Sequence, residues 1–208
     1  MDGLPDSLRL LARARCRDSG PAHDWSHVER VTRLAHQIAS AEGADVEIAT
    51  TSALLHELWN YPKDHPDRAL SGDVAAEHAG VALRDAGLSR LVDPVATCIR
   101  EHAWSKGVTP SSLEGRVLQD ADRLDAIGAL GVARCFATAG ELRLPFYAER
   151  DPMCRERPPE DRRFTLDHFF AKLLRIPDRL HTPTARSLAA PRVASMRAFL
   201  DAFAEELG

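Results

Sequence analysis

The residues with the strongest claim to chemistry are two imidazoles and two carboxylates, His27, His56, Glu57 and Asp122. His56 and Glu57 close the apolar run Ala53-Leu54-Leu55. Neighbours on a helix diverge by about 100°, so one of the pair can serve a core while the other tips into a cavity. His27 lies upstream on its own periodic segment, and Gln119-Asp120-Ala121-Asp122-Arg123-Leu124-Asp125 lies downstream. These polar groups interrupt otherwise core-like faces, where an unpaired charge is costly. A shared divalent cation would neutralise them; hydrogen-bonded interior histidines and coincidental acids are the other reading, and spacing alone leaves both open. Two imidazoles with two carboxylates and no thiolate suit Mn²⁺, Fe²⁺, Co²⁺, Ni²⁺, Mg²⁺ or Zn²⁺ without choosing among them. Such an ion acidifies water, which can then attack phosphorus.

The elements that must position these groups are helices. A short amphipathic helix is predicted over about 4–17, stopped by Gly20-Pro21. Ser26 and Glu29 have capping-box spacing, followed by Val28, Val31, Leu34, Ala35 and Ile38 at helical period. That puts His27 in a first turn, among unpaired N–H groups. Gly43 ends this helix, and the next runs from about 45 to 58. Prolines 62 and 66 bound a loop; helical pattern returns over 71–86 and stops at Gly87. Asp93-Pro94 reads as N-cap and first residue of a helix reaching His102. Ser111 and Glu114 repeat the capping-box spacing, opening an unbroken apolar stripe through Val117, Leu118, Leu124, Ile127 and Leu130. Residues 140–163 hold four prolines and many charges and read as an ordered, lid-like excursion. Helices over 165–175 and from Thr182-Pro183 onward complete the chain, the last kinked or split at Pro191. No segment alternates at period two. The expected class is all-α, a helical bundle in a single domain over 1–208, with its core at about 20–140, the excursion at about 140–163 and C-terminal helices at about 165–206.

Composition narrows the function. With 208 residues and 44% hydrophobic side chains, the chain can bury one sizeable core. No apolar run reaches the roughly 18–20 residues that span a bilayer, so no membrane role is expected. A net charge of −4 and a pI near 6.1 disfavour a nucleic-acid partner; dispersed Arg and Lys suit a small phosphorylated molecule better. Four separated cysteines without a CxxC spacing, and no leader-like N-terminus, read as cytoplasmic thiols.

Three stretches together resemble the HD-domain metal-dependent phosphohydrolases, in particular the bacterial branch related to YedJ and YpgQ. They are His23-Asp24-Trp25-Ser26-His27-x-x-Arg30-Val31, Leu54-Leu55-His56-Glu57, and Gln119-Asp120-Ala121-Asp122-Arg123-Leu124-Asp125-Ala126-Ile127-Gly128-Ala129. The likeness continues through Glu101-His102, Ser105, Asp161-Arg162-Arg163-Phe164 and Asp167-His168-Phe169. It implies an all-α HD fold and one divalent cation held by His27, His56, Glu57 and Asp122. It also implies hydrolysis of a phosphoester or phosphoanhydride, with a nucleotide as the expected substrate. The chain departs where the family carries Asp and Glu57 stands instead, one methylene longer. It departs again at His102-Ala103-Trp104-Ser105, where the family has His-Ser-Phe-Ser. Two functions follow: an active metal-dependent phosphohydrolase, or a catalytically impaired HD-domain protein that binds metal and nucleotide.

Other residues extend the site. Lys63 would hold a phosphate from its proline-bounded loop, or is a solvated lysine. His102, at a helix end, would bind phosphate or protonate a leaving group, or is a cap favoured by the helix dipole. Asp125, one turn beyond Asp122, would orient a ligand or the attacking water. Asp24 would support His27 from behind or help start its helix. His65, Arg68 and the arginines of 143–163 read mainly as solvated charge.

Overall fold

The computed structural model describes residues 4–16, 24–61, 65–103 and 106–208. The expected stop at Gly20-Pro21, His23, Lys63 with the rest of 62–64, and Trp104-Ser105 lie outside the described residues. The described residues form helices α1 (Asp6–Arg15), α2 (Trp25–Glu42), α3 (Val46–Leu55), α4 (Ser71–Asp85), α5 (Val92–Glu101), α6 (Leu113–Asp125), α7 (Ala129–Glu141), α8 (Asp167–Ala171) and α9 (Pro183–Leu207). Short 3-10 turns join several of them, and there is no strand among the described residues. The all-α expectation is met.

The chain groups into two compact units, divided between Asp122 and Arg123 and again around 181–184. The first unit is built on α3. Every residue from Ala49 to Leu55 is buried, as expected of a helix enclosed on all sides; it packs against α1, α2, α4 and α5. Small side chains make that possible, and Thr50 Oγ1 donates back to Val46 O at 2.6 Å, so its buried hydroxyl is satisfied. The predicted inward face of α2 (Val28, Val31, Leu34, Ala35, Ile38) is buried throughout.

Helix ends differ from the expected ones in instructive ways. Asp24, not Ser26, caps α2: its carboxylate accepts from His27 N–H at 2.9 Å and from Ser26 Oγ at 2.7 Å. An ionised acceptor is the better partner for a helix N-terminus, and it takes the hydroxyl along. Ser112 rather than Ser111 caps α6, through Gly115 N–H at 3.0 Å. Glu114 reaches Asp45 N–H instead, and Ser111 Oγ donates to Glu101. Helix α5 begins at Val92, so Asp93 and Pro94 sit within its first turn.

The second unit contains α7, α8, most of α9 and the excursion. The long stripe expected from 113 to 130 breaks after Asp125. Gly128 adopts φ 85°, ψ −165°, a region essentially reserved for glycine, and a Cβ there would lie 3.1 Å from Arg192 side-chain carbons. At Gly131 a Cβ would meet Ala126 O at 2.3 Å. The break resets the helical phase, which leaves Leu130 exposed rather than buried. The 165–175 helix is likewise cut at Lys172, where φ is −135°. Pro191 does not split α9, which is continuous over 25 residues. Phe136 gathers Phe146, Phe169, Phe199 and Phe203 at centroid distances of 5.3 to 6.5 Å.

The excursion is ordered by carboxylates rather than helices. Asp151, at φ 51°, accepts from the N–H groups of Arg155, Glu156 and Arg157 at 2.7–2.9 Å. Arg157 then forks onto buried Asp167 at 2.5 and 2.7 Å, and Glu160 N–H adds a third contact at 2.6 Å. Despite burial, these bonds hold the Asp167 carboxyl below its ordinary range.

Candidate metal centre

His27 reaches its place through the start of α2. The Asp24 cap fixes its backbone, and its ring is fully buried. Asp24 thus helps start the helix and braces His27 through the main chain. Helix α3 ends one residue before His56, which is its C-cap. The His56 Nδ1 lies 2.6 Å from Ala53 O. A carbonyl only accepts, so Nδ1 carries the proton and Nε2 presents a lone pair. Leu58 N–H closes the turn on Leu55 O at 3.2 Å, which tips Glu57 to the same side.

The donors converge. His27 Nε2 lies 3.6 Å from Asp122 Oδ1 and 4.0 Å from Glu57 Oε1, and His56 Nε2 lies 3.8 Å from Glu57 Oε1. Ligand atoms of His27, His56 and Glu57 all fall within 4.8 Å of one another. Two ligands each about 2.1 Å from a common ion stand roughly 3.0 Å apart at right angles and about 4.2 Å apart when opposed, which matches these separations. His56 Nε2 is buried and has no hydrogen-bond partner among the described residues, a costly state for a lone pair unless something else binds it. The donor set therefore fits a divalent cation.

Asp122 comes from α6, where alternate residues of the run play different parts. Gln119 Nε2 donates to the carbonyls of Glu101, His102 and Val108 at 3.2–3.3 Å. Its Oε1 accepts from His181 Nε2 at 2.6 Å. Asp120 accepts from the N–H groups of His181 and Thr182 and from the Thr182 hydroxyl; burial raises its pKa against those bonds. Local spacing alone gives Gln119 and Asp120 no such role. The visible signal was His181 directly before Thr182-Pro183, which only the fold connects to α6.

His102 ends α5 as His56 ends α3, with Nδ1 donating to Ile99 O at 2.6 Å and its ring edge-on to His56 at 5.4 Å. Burial, then the neighbouring His56, lowers its pKa. His102 thus caps α5 through a neutral Nδ1–H rather than through a charge favoured by the helix dipole, and the remaining Nε2 is an acceptor. Asp125 is buried and pairs with Arg134 Nη1 at 2.7 Å. His65 caps a 3-10 turn through Asp67 N–H at 3.1 Å and stacks on Tyr61; Arg68 donates to Tyr61 O.

The sequence matches the HD domain family over residues 24–127, from the cap of α2 to the break before α7. All four candidate donors lie inside that span. The chain belongs to the HD domain family. YpgQ of Bacillus subtilis (strain 168) is 33% identical over 195 residues, 94% of this chain and 89% of YpgQ. A crystal structure of Bacillus subtilis YpgQ in complex with ADP aligns with TM-score 0.73 at 34% identity, over 97% of this chain and 93% of that one. An HD-superfamily hydrolase from Bacillus thuringiensis aligns with TM-score 0.73 at 27% identity, over 97% and 95%. Family membership places the chain among the HD-superfamily hydrolases. No helix among the described residues is long and apolar enough to cross a membrane.

Proposed function

We propose that the chain is a divalent-metal-dependent phosphohydrolase acting on a nucleotide. The observation that carries this reading is the convergence of His27, His56 and Glu57 within 4.8 Å, with Asp122 Oδ1 beside His27. These four residues would hold the cation. When bound, it supplies acidified water and polarises a phosphoryl oxygen. The family relationship supports hydrolysis, and the ADP complex of YpgQ supports a nucleotide; the acidic balance of the chain argues for a small ligand over a nucleic acid.

The chain's own groups divide the remaining work. The Ala53 carbonyl keeps His56 in the tautomer whose Nε2 can bind a cation. His102, whose Nδ1 proton is given to Ile99 O, offers Nε2 to accept a proton from water. That is a different role from protonating a leaving group, which would need a second ring proton. Gln119 holds the backbone of His102. Asp125 is committed to Arg134, so His102 is the better proton acceptor. Lys63 would neutralise charge on the phosphates.

The test is phosphate release by the purified full chain from nucleoside di- and triphosphates and p-nitrophenyl phosphate, with Mn²⁺, Mg²⁺, Co²⁺, Ni²⁺ or Zn²⁺ added in turn. Release should require metal, stop with EDTA, and fall about 100-fold or more in His56→Ala. Bound metal without release from any substrate would replace this reading with that of a metal- and nucleotide-binding module.

A further inference from the structure

Glu57 is the most flexible member of the candidate donor set, with one more side-chain torsion than Asp122. Left alone, its carboxylate could turn either oxygen, or neither, toward the imidazoles. Its second oxygen, however, is engaged. Asn60 Nδ2 donates to Glu57 Oε2 at 3.0 Å, while Oε1 faces His56 and His27 at 3.8 and 4.0 Å.

Asn60 itself stands on fixed ground. Leu58, two residues before it, is buried and tied by its N–H to Leu55 O. Trp59 stacks on His78 at 5.5 Å with an interplanar angle of 21°, and meets Tyr61 edge-on at 5.7 Å. Tyr61 N–H donates to Ser71 Oγ at 3.1 Å. The residues on both sides of Asn60 are thus pinned to α4, and the amide approaches Glu57 from a set position. Its chemistry also suits the task. A neutral N–H donor orients a carboxylate without adding a positive charge that would compete with a cation.

We infer that Asn60 is a positioning residue for Glu57, holding Oε2 so that Oε1 is presented to a divalent cation bound with His27 and His56. The inference rests on the metal reading above and adds a residue outside the donor set. It acts only through Glu57.

The experiment is Mn²⁺ binding to the metal-free full chain, read as free Mn²⁺ by electron paramagnetic resonance. Losing an outer partner of a metal ligand typically weakens binding 10–100-fold. Asn60 is exposed and water can partly replace it, so Asn60→Ala should weaken Mn²⁺ binding about tenfold, at the low end of that range. The metal-free melting temperature should move by no more than about 2 °C, as for a surface substitution. In a Glu57→Asp background, whose shorter arm cannot span to the amide, Asn60→Ala should change affinity less than about twofold. Unchanged affinity in Asn60→Ala, while His56→Ala abolishes binding, overturns the inference and leaves the metal reading intact. An equal loss in both backgrounds also overturns it, because Asn60 would then act by another route. A parent chain that binds none of Mn²⁺, Co²⁺, Ni²⁺ or Zn²⁺ overturns both.

Discussion

At the residue scale, His56 and His102 receive the same treatment from the backbone. Each follows the last turn of a helix and gives its Nδ1 proton to the carbonyl three residues earlier, at 2.6 Å. The shared geometry leaves each Nε2 as an acceptor, yet the proposed roles differ: a cation for His56, a proton for His102. Substitution separates them. His102→Ala should lower turnover about 100-fold, the lower range for loss of a general base, while Mn²⁺ affinity stays within about twofold of the parent. Equal loss of metal binding in His102→Ala and His56→Ala would make His102 a ligand instead. Asp24 makes a related point. Its carboxyl is partly buried, yet bonds from Ser26 and His27 lower its pKa, so it remains an ionised cap where His27 begins.

At the element scale, the decisive features are where helices stop. Helix α3 ends at Leu55 because His56 takes over capping, and this delivers two donors side by side. The α6–α7 break at Gly128 could not be read from hydrophobic period, which runs on through Leu130; only a positive φ marks it. Beside the Asp151 contacts, the excursion is held by the ion pair of Arg157 with Asp167. Asp167 is buried but Arg157 is partly exposed, and a hydrogen bond to a charged group contributes roughly 1.5–3 kcal/mol, so Asp167→Asn should lower stability by about 2 kcal/mol at pH 7. The folded pKa of Asp167 is depressed. Its contribution is therefore present above the unfolded value, about 3.9, and is lost as pH falls through the folded value. The gap between urea melts of parent and variant should start to close as pH falls below about 4 and vanish only below the folded value; a gap constant with pH would assign the loss to packing instead.

At the scale of the whole molecule, a cation that binds the folded chain and not the unfolded one adds RT ln(1 + [L]/Kd), about 2.7 kcal/mol at a hundredfold excess over Kd. For a chain of this length that corresponds to a rise of roughly 5–10 °C in melting temperature. Mn²⁺ should produce this rise in the parent, EDTA should reverse it, and His27→Ala should abolish it. A melting temperature indifferent to metal would count against the cluster as a folding-coupled site.

What the sequence determined by itself was the helical class and the buried face of α2, and it singled out His27, His56, Glu57 and Asp122 as candidate metal ligands. Each follows from side-chain type and a 3.6-residue period, which are local properties. The resemblance added their joint assignment to one cation. The tertiary structure decided how closely His27, His56, Glu57 and Asp122 approach, because those distances depend on the packing of separate helices. It also revealed Gln119 tied to His181 and Asp120 holding His181 and Thr182 just before α9, pairs more than sixty residues apart. The choice of Asp24 over Ser26 lay between the two: both are good caps by type, and the competition was settled by which acceptor could take His27 N–H and the neighbouring hydroxyl together.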